Sequence, residues 1–107
     1  LPDLPMSSRQ RHELALCIRE AFNNIVRHAR ASVVNLRLEL TDHKLFIRIQ
    51  DNGRGFENGK SENGEHGLEN MRARIGKVGG SFQCESHPGK GTILTFIVPV
   101  MPEEDDA

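Results

Sequence analysis

Glu20, Asn24 and Arg27 place a carboxylate, a carboxamide and a guanidinium at i, i+4 and i+7. At about 100° per residue a helix gathers all three on one stripe, with His28 just inside the edge of the neighbouring apolar arc. A functional reading of such a stripe is a carboxylate, an amide and a cation aimed into a cleft beside the core. Asparagine is a poor helix former, so propensity does not explain Asn23 and Asn24 in the middle of a helical pattern. Taken alone, however, the stripe is better accounted for as a solvated helix face with one i, i+4 contact.

Asp51 changes that balance. It follows Leu45, Ile47 and Ile49 at the same strand parity, which directs its carboxylate to the buried side. A carboxylate there needs donors or a cation, because burying an unpaired charge costs several kcal/mol. Asn52-Gly53-Arg54-Gly55-Phe56 comes next, and its glycines allow a sharp turn or the close approach of a ligand. An aspartate that caps the turn is the alternative. Asp-x-Gly-x-Gly alone is a moderately specific signal.

Other chemistries fail on spacing. A calcium loop beginning at Asp51 would need ligand oxygens where glycines stand. Gly89-Lys90-Gly91-Thr92 lacks the full phosphate-loop pattern and runs into a strand. The histidines and cysteines show no paired zinc spacing, and no Gly-x-Ser-x-Gly elbow is present.

The elements that position these residues are readable from periodicity. After an extended Leu1–Pro5, Ser7 or Ser8 caps a helix whose apolar arc is Leu14, Cys17, Ile18, Ala21, Phe22, Ile25 and Ala29. Val34, Leu36, Leu38 and Leu40 then alternate with polar residues. Asp42-His43-Lys44 turns the chain, and Leu45, Ile47 and Ile49 alternate in turn, predicting a hairpin with one buried face. A long polar loop from Asp51 to His66 leads to a second helix carrying Leu68, Met71, Ile75 and Val78, stopped by Gly79-Gly80. Phe82 and Cys84 mark a short strand, and Thr92 to Val100 is apolar enough for a central one. The order predicts an α+β fold, a two-layer α/β sandwich with helices on one face of a mixed, mostly antiparallel sheet.

Composition narrows the class. The 107 residues suit one domain, over residues 1–101, followed by an acidic tail at 102–107 expected to be poorly ordered. The net charge is −1, and mildly positive without that tail, which gives no basis for nucleic-acid binding. No apolar run is long enough to span a membrane. Cys17 and Cys84 are isolated, as small buried hydrophobes of a reducing compartment would be. With no Asn-x-Ser/Thr sequon or secretory signal, a cytoplasmic setting is expected. All ten glycines lie from Gly53 to Gly91, so a regular half precedes a loop-shaping half.

Together these segments resemble a known family. Arg19-Glu20-Ala21-Phe22-Asn23-Asn24-Ile25-Val26-Arg27-His28-Ala29 resembles the N box of the histidine-kinase ATPase domain, and Asp51-Asn52-Gly53-Arg54-Gly55-Phe56 its G1 box. His66-Gly67-Leu68-Glu69-Asn70-Met71-Arg72-Ala73-Arg74 is similar to the G2 segment, and Gly89-Lys90-Gly91-Thr92 to the last glycine box. The wider superfamily holds gyrase, the Hsp90 chaperones and MutL, and the form here looks most like nitrate-sensor and DesK-like kinases. Departures are a displaced first glycine in Gly64-Glu65-His66-Gly67 and a short polar stretch in place of a long lid.

The resemblance implies a Bergerat-type fold that binds Mg-ATP. It makes Asp51 the acceptor for the adenine amino group, with Gly53 and Gly55 giving the backbone room beside the base. It implies that Asn24 holds Mg2+, with ATP phosphates as further ligands. Glu20 becomes a base or water-orienting group. Arg27 and His28 frame the phosphates, and Thr92 meets the nucleotide. His66, Gly67 and Leu68 line the G2 side, where Gly67 can offer helix N–H groups to phosphate. Implied partners are a histidine-bearing dimerisation domain of the same protein and a response regulator. No membrane contact by this domain is expected, whether or not a full-length kinase is anchored. A related ATPase, an anti-sigma-type serine kinase, and a degenerate docking module remain as alternatives.

Overall fold

The computed structural model describes residues 6–55 and 67–100, with the backbone alone at residues 28 and 29. Helix α1 spans Ser8–Asn24. Ser7 caps it: the Ser7 hydroxyl accepts the Gln10 N–H at 3.1 Å, and Gln10 Oε1 accepts the Ser7 N–H at 3.3 Å. These reciprocal bonds satisfy donors that the first turn leaves open. Gln10 is itself buried, and its Nε2 donates to the Pro99 carbonyl at 2.6 Å, tying the helix start to the far end of the chain. Leu14, Cys17 and Ala21 are buried, while Ile18, Phe22 and Ile25 pack at the margin of the core.

The α-helix does not run on through Ala29 as its sequence pattern predicts. It passes into a π-turn over Ile25–Ala29, which ends at Arg30 in the left-handed region, φ 54°. Asn24 is thus the last α-helical residue, which explains how a poor helix former is accommodated there.

Strands β1 (Val34–Thr41) and β2 (Lys44–Asp51) form a hairpin around Asp42 and His43. Both turn residues have positive φ, 52° and 60°, as a type I′ turn requires. Helix α2 covers Gly67–Gly76. Its exit is a Schellman arrangement: the Gly80 N–H reaches the Ile75 carbonyl at 2.9 Å, and the Gly79 N–H reaches that of Gly76 at 3.1 Å. Gly79 takes the left-handed position, φ 81°. Gly80 does more than stop the helix, since a Cβ there would lie 2.6 Å from the Ile97 carbonyl oxygen.

Strands β3 (Ser81–Ser86) and β4 (Thr92–Pro99) complete a sheet ordered β1-β2-β4-β3. Every pairing among the described strands is antiparallel, and β4 is central as its composition predicts. The face beneath the helices is built in layers of directly paired residues, Ile49–Leu94–Cys84, Ile47–Phe96–Phe82 and Leu45–Val98. Met71 and Ile75 of α2 join Leu14, Cys17 and Ala21 above them. Arg74 binds Glu13 at 3.0 Å, linking the two helices.

The hairpin departs from expectation on one side. Leu36, Leu38 and Leu40 pair with the buried Ile49, Ile47 and Leu45, yet every residue of β1 is exposed. Alternation assigns these leucines to the inner face, but no described helix extends far enough to roof them. No described helix is long and apolar enough to cross a membrane.

Candidate functional site

At one end of the sheet the apolar layers give way to a polar row. Asp51 of β2 pairs with Thr92 of β4, which pairs with Ser86 of β3, so the three side chains share the helix-covered face. Asp51 is 6% exposed, as its parity predicts. Its Oδ1 accepts the Gly53 N–H at 2.7 Å. The turn-capping alternative is therefore realised together with the buried orientation. The cap fixes the carboxylate's rotamer, and a carboxylate has acceptor capacity beyond that one bond.

Ser86 was not singled out by motif reasoning. It is 1% exposed, and its hydroxyl donates to the Gly91 carbonyl at 3.1 Å and lies 2.7 Å from Thr92 Oγ1. Strand parity could have found it, because Ser86 follows Phe82 and Cys84 on the inward side.

Two loops interlock beside this row. The Gly89 N–H donates to the Arg54 carbonyl at 2.6 Å. Gly55 and Gly91 both have positive φ, 65° and 83°. A Cβ on Gly55 would collide with the His87 carbonyl oxygen, and one on Gly91 with the Asp51 carbonyl oxygen. Loop meeting loop thus requires glycine at both positions, whatever room Gly55 also leaves beside a base. Gly53 is buried where the Asp51 side chain caps it.

Asp51, Gly53, Gly55 and Thr92 therefore come together at the sheet end. Glu20 and Asn24 are half-buried on α1, and among the described residues neither they nor Arg27 makes a hydrogen bond or ion pair with that cluster. Arg27 is exposed and sits within the π-turn, so the constant 100° spacing that aligned it with Glu20 does not hold there. Gly67 opens α2, and Leu68 packs at the core margin. The His28 side chain, His66, Phe56, the Leu1–Pro5 segment and the acidic tail lie outside the described residues.

Among the described residues no three His, Cys, Asp or Glu side chains are grouped to hold a metal. The donor on offer is the hard carboxamide oxygen of Asn24, which suits a magnesium ion that takes most of its ligands from phosphate and water. The cysteines are not candidates for nucleophiles. Burial pushes the Cys17 thiol up to about 11, against an opposing pull from Arg74, and raises Cys84 to about 11 against Arg72. Cys84 is only half-buried, a small departure from the fully buried position expected.

Residues 9–102 match the family described as histidine kinase-, DNA gyrase B-, and HSP90-like ATPase. Sensor histidine kinase LiaS of Bacillus subtilis is 33% identical over 104 residues, which are 97% of this chain and 29% of LiaS. The chain therefore spans less than a third of the length of that relative. Among solved structures, the blue-light activated histidine kinase EL346 of Erythrobacter litoralis is similar with a TM-score of 0.74 and 25% identity, covering 89% of this chain and 32% of that one. The ATP binding domain of PrrB from Mycobacterium tuberculosis gives a TM-score of 0.69 and 27% identity, covering 83% of this chain and 68% of that one.

Proposed function

The chain belongs to the histidine kinase-, DNA gyrase B-, and HSP90-like ATPase family, and on that premise we propose that it binds Mg-ATP and presents the γ-phosphate to a histidine on a separate dimerisation domain. The observation that carries this reading is Asp51. It is buried at the end of β2, beside Thr92, with its carboxylate held by the Gly53 N–H. A fixed acceptor at a sheet end suits an exocyclic amino group, which offers N–H donors. An adenine amino group bonded to Asp51 would place the base against the interlocked glycine loops.

The polar residues of α1 then serve the other end of the ligand. Asn24 would hold magnesium through its side-chain oxygen, and a bound magnesium would neutralise charge on the phosphates. Glu20 would accept a proton or orient the incoming group. Gly67, at the N-terminus of the ten-residue α2, can direct its N–H at phosphate oxygens. Phosphoryl transfer of this kind depends on positioning and on spreading charge, so the domain alone would bind nucleotide with little turnover. Its implied partners are the acceptor-histidine domain and a response regulator, on the cytoplasmic side.

Calorimetry with a non-hydrolysable ATP analogue tests the reading. Asp51→Ala should weaken binding by about a hundredfold, the scale expected for losing a buried charged acceptor. Unchanged affinity in a folded variant would remove Asp51 from base recognition. Detection of acid-labile phosphohistidine on the acceptor domain, rather than phosphoserine, would separate a sensor kinase from an anti-sigma-type relative.

A further inference from the structure

We infer that Asn52 is a positioning residue that fixes the separation between the two ends of the nucleotide site, an inference that rests on the nucleotide reading above. Asn52 follows Asp51 directly, and its side chain points away from the polar row, toward the segment that leaves α1. Oδ1 accepts the N–H groups of Ser32 and Val33, each at 2.9 Å, and Nδ2 donates to Ser32 Oγ at 2.9 Å. Two N–H donors meeting one atom identify it as the oxygen, so hydrogen-bond chemistry fixes the carboxamide's orientation. The Asn52 N–H adds a bond to the Val33 carbonyl at 3.3 Å. On its other side, Gly91 comes so close that a Cβ there would lie 3.1 Å from Asn52 Cα. One residue is thus gripped by the segment that opens β1 and by the turn that opens β4.

The location of this grip gives it a function. Asn24, the proposed metal ligand, ends α1, and the π-turn and Arg30 carry the chain from there to Ser32. Among the described residues, the other polar side-chain ties between α1 and the rest of the fold lie at its first turns, from Gln10 to Val78 and Pro99 and from Glu13 to Arg74. A weak thiol contact runs from Cys17 to the Met71 carbonyl. Beyond Cys17, α1 meets the core through apolar side chains, and such packing is not directional. Hydrogen bonds are directional, so the Asn52 carboxamide, extending the β1–β2 ladder to Ser32 and Val33, helps to orient the segment that leaves the Asn24 end of the helix against the strand that carries Asp51. A ligand that touches Asp51 alone does not sense that link. A ligand that reaches from Asp51 to Asn24 binds only if both ends are in register.

Calorimetry with two ligands reads this difference in the full chain, using adenosine for the base end and a magnesium complex of a non-hydrolysable ATP analogue for both ends. Asn52→Ala should bind adenosine within about twofold of wild type while losing about tenfold for the analogue, as expected for the loss of a few exposed hydrogen bonds. Asn52→Asp should recover most of that loss, because a carboxylate accepts the same two N–H groups and the Ser32 hydroxyl can turn to donate. If Asn52→Ala does not fold, Ser32→Ala removes one bond and should lose about two- to threefold for the analogue alone. The inference is overturned by equal losses for both ligands, by no loss, or by an Asn52→Asp variant as weak as Asn52→Ala. A wild type that binds neither ligand, or an Asp51→Ala variant that keeps full adenosine affinity, is a separate result. It overturns the nucleotide reading, and the role of Asn52 falls with it.

Discussion

The sheet has two edges of similar pattern and opposite fate. β3 and β1 both alternate apolar with polar side chains, and among the described strands each pairs with one neighbour. On β3, Phe82 lies beneath α2, 5.0 Å from the Phe96 ring, with the Arg72 guanidinium 5.2 Å from its own ring. On β1, Leu38 stands opposite the buried Ile47 and is 39% exposed. Alternation determines which way a side chain faces. Whether that face is dry depends on a second layer, and the described helices cover β2, β4 and β3 but stop short of β1.

The sharpest test of this contrast is truncation on the covered side. Phe82→Ala should cost about 3–5 kcal/mol in urea unfolding, since it removes a buried ring and leaves a cavity. Ile47→Ala, one strand in from the bare edge, should cost about 2–5 kcal/mol. A pH-dependent change comes from the two thiols, both under the helix layer. Their folded pKa values, about 11, lie above the unfolded value near 9.0. The unfolded chain then releases protons first, so stability is intact below about pH 9 and declines as pH rises through 11. A urea midpoint that stays flat from pH 8 to 11 would contradict that burial. Cys84, less covered than Cys17, should be labelled faster by a thiol reagent at neutral pH. The smallest effect belongs to Leu38→Ala, expected below about 1 kcal/mol because an exposed leucine has little contact to lose. A cost matching that of Ile47→Ala would mean that β1 is covered in solution.

Much of the fold was legible because its signals are local. The Ser7 cap, the Asp42-His43 turn, the Gly79-Gly80 stop and the central β4 each follow from a few residues. The inward parity of Asp51 was equally readable. The π-turn was not, because Leu14 to Ala29 continues an α-helical pattern without a break and the residues give no sign that the turn widens at Ile25. Nor could the loop contacts of Gly55 and Gly91 be read. A glycine-rich loop looks the same whether it makes way for a ligand or for another loop, and only the sheet order brings His87 and Asp51 against them. Ser86 and Asn52 were overlooked for a related reason. Their partners are hydroxyl and backbone groups, which carry no motif.

The position of β4 also bears on how the protein comes into being. It is the last of the described strands in sequence, yet it lies between β2 and β3, and Gln10 bonds to Pro99, 89 residues further on. Loop closures that long are slow to pay back their entropy, so little of the sheet can be secured while β4 is still missing. Asp51 must wait for its neighbours too, since Thr92 and Gly91 arrive only with that strand. A nascent chain stalled before Thr92 would hold both helices and the first hairpin in sequence and still have no assembled pocket. The polar row at the sheet end is completed in one late step, with the arrival of β4.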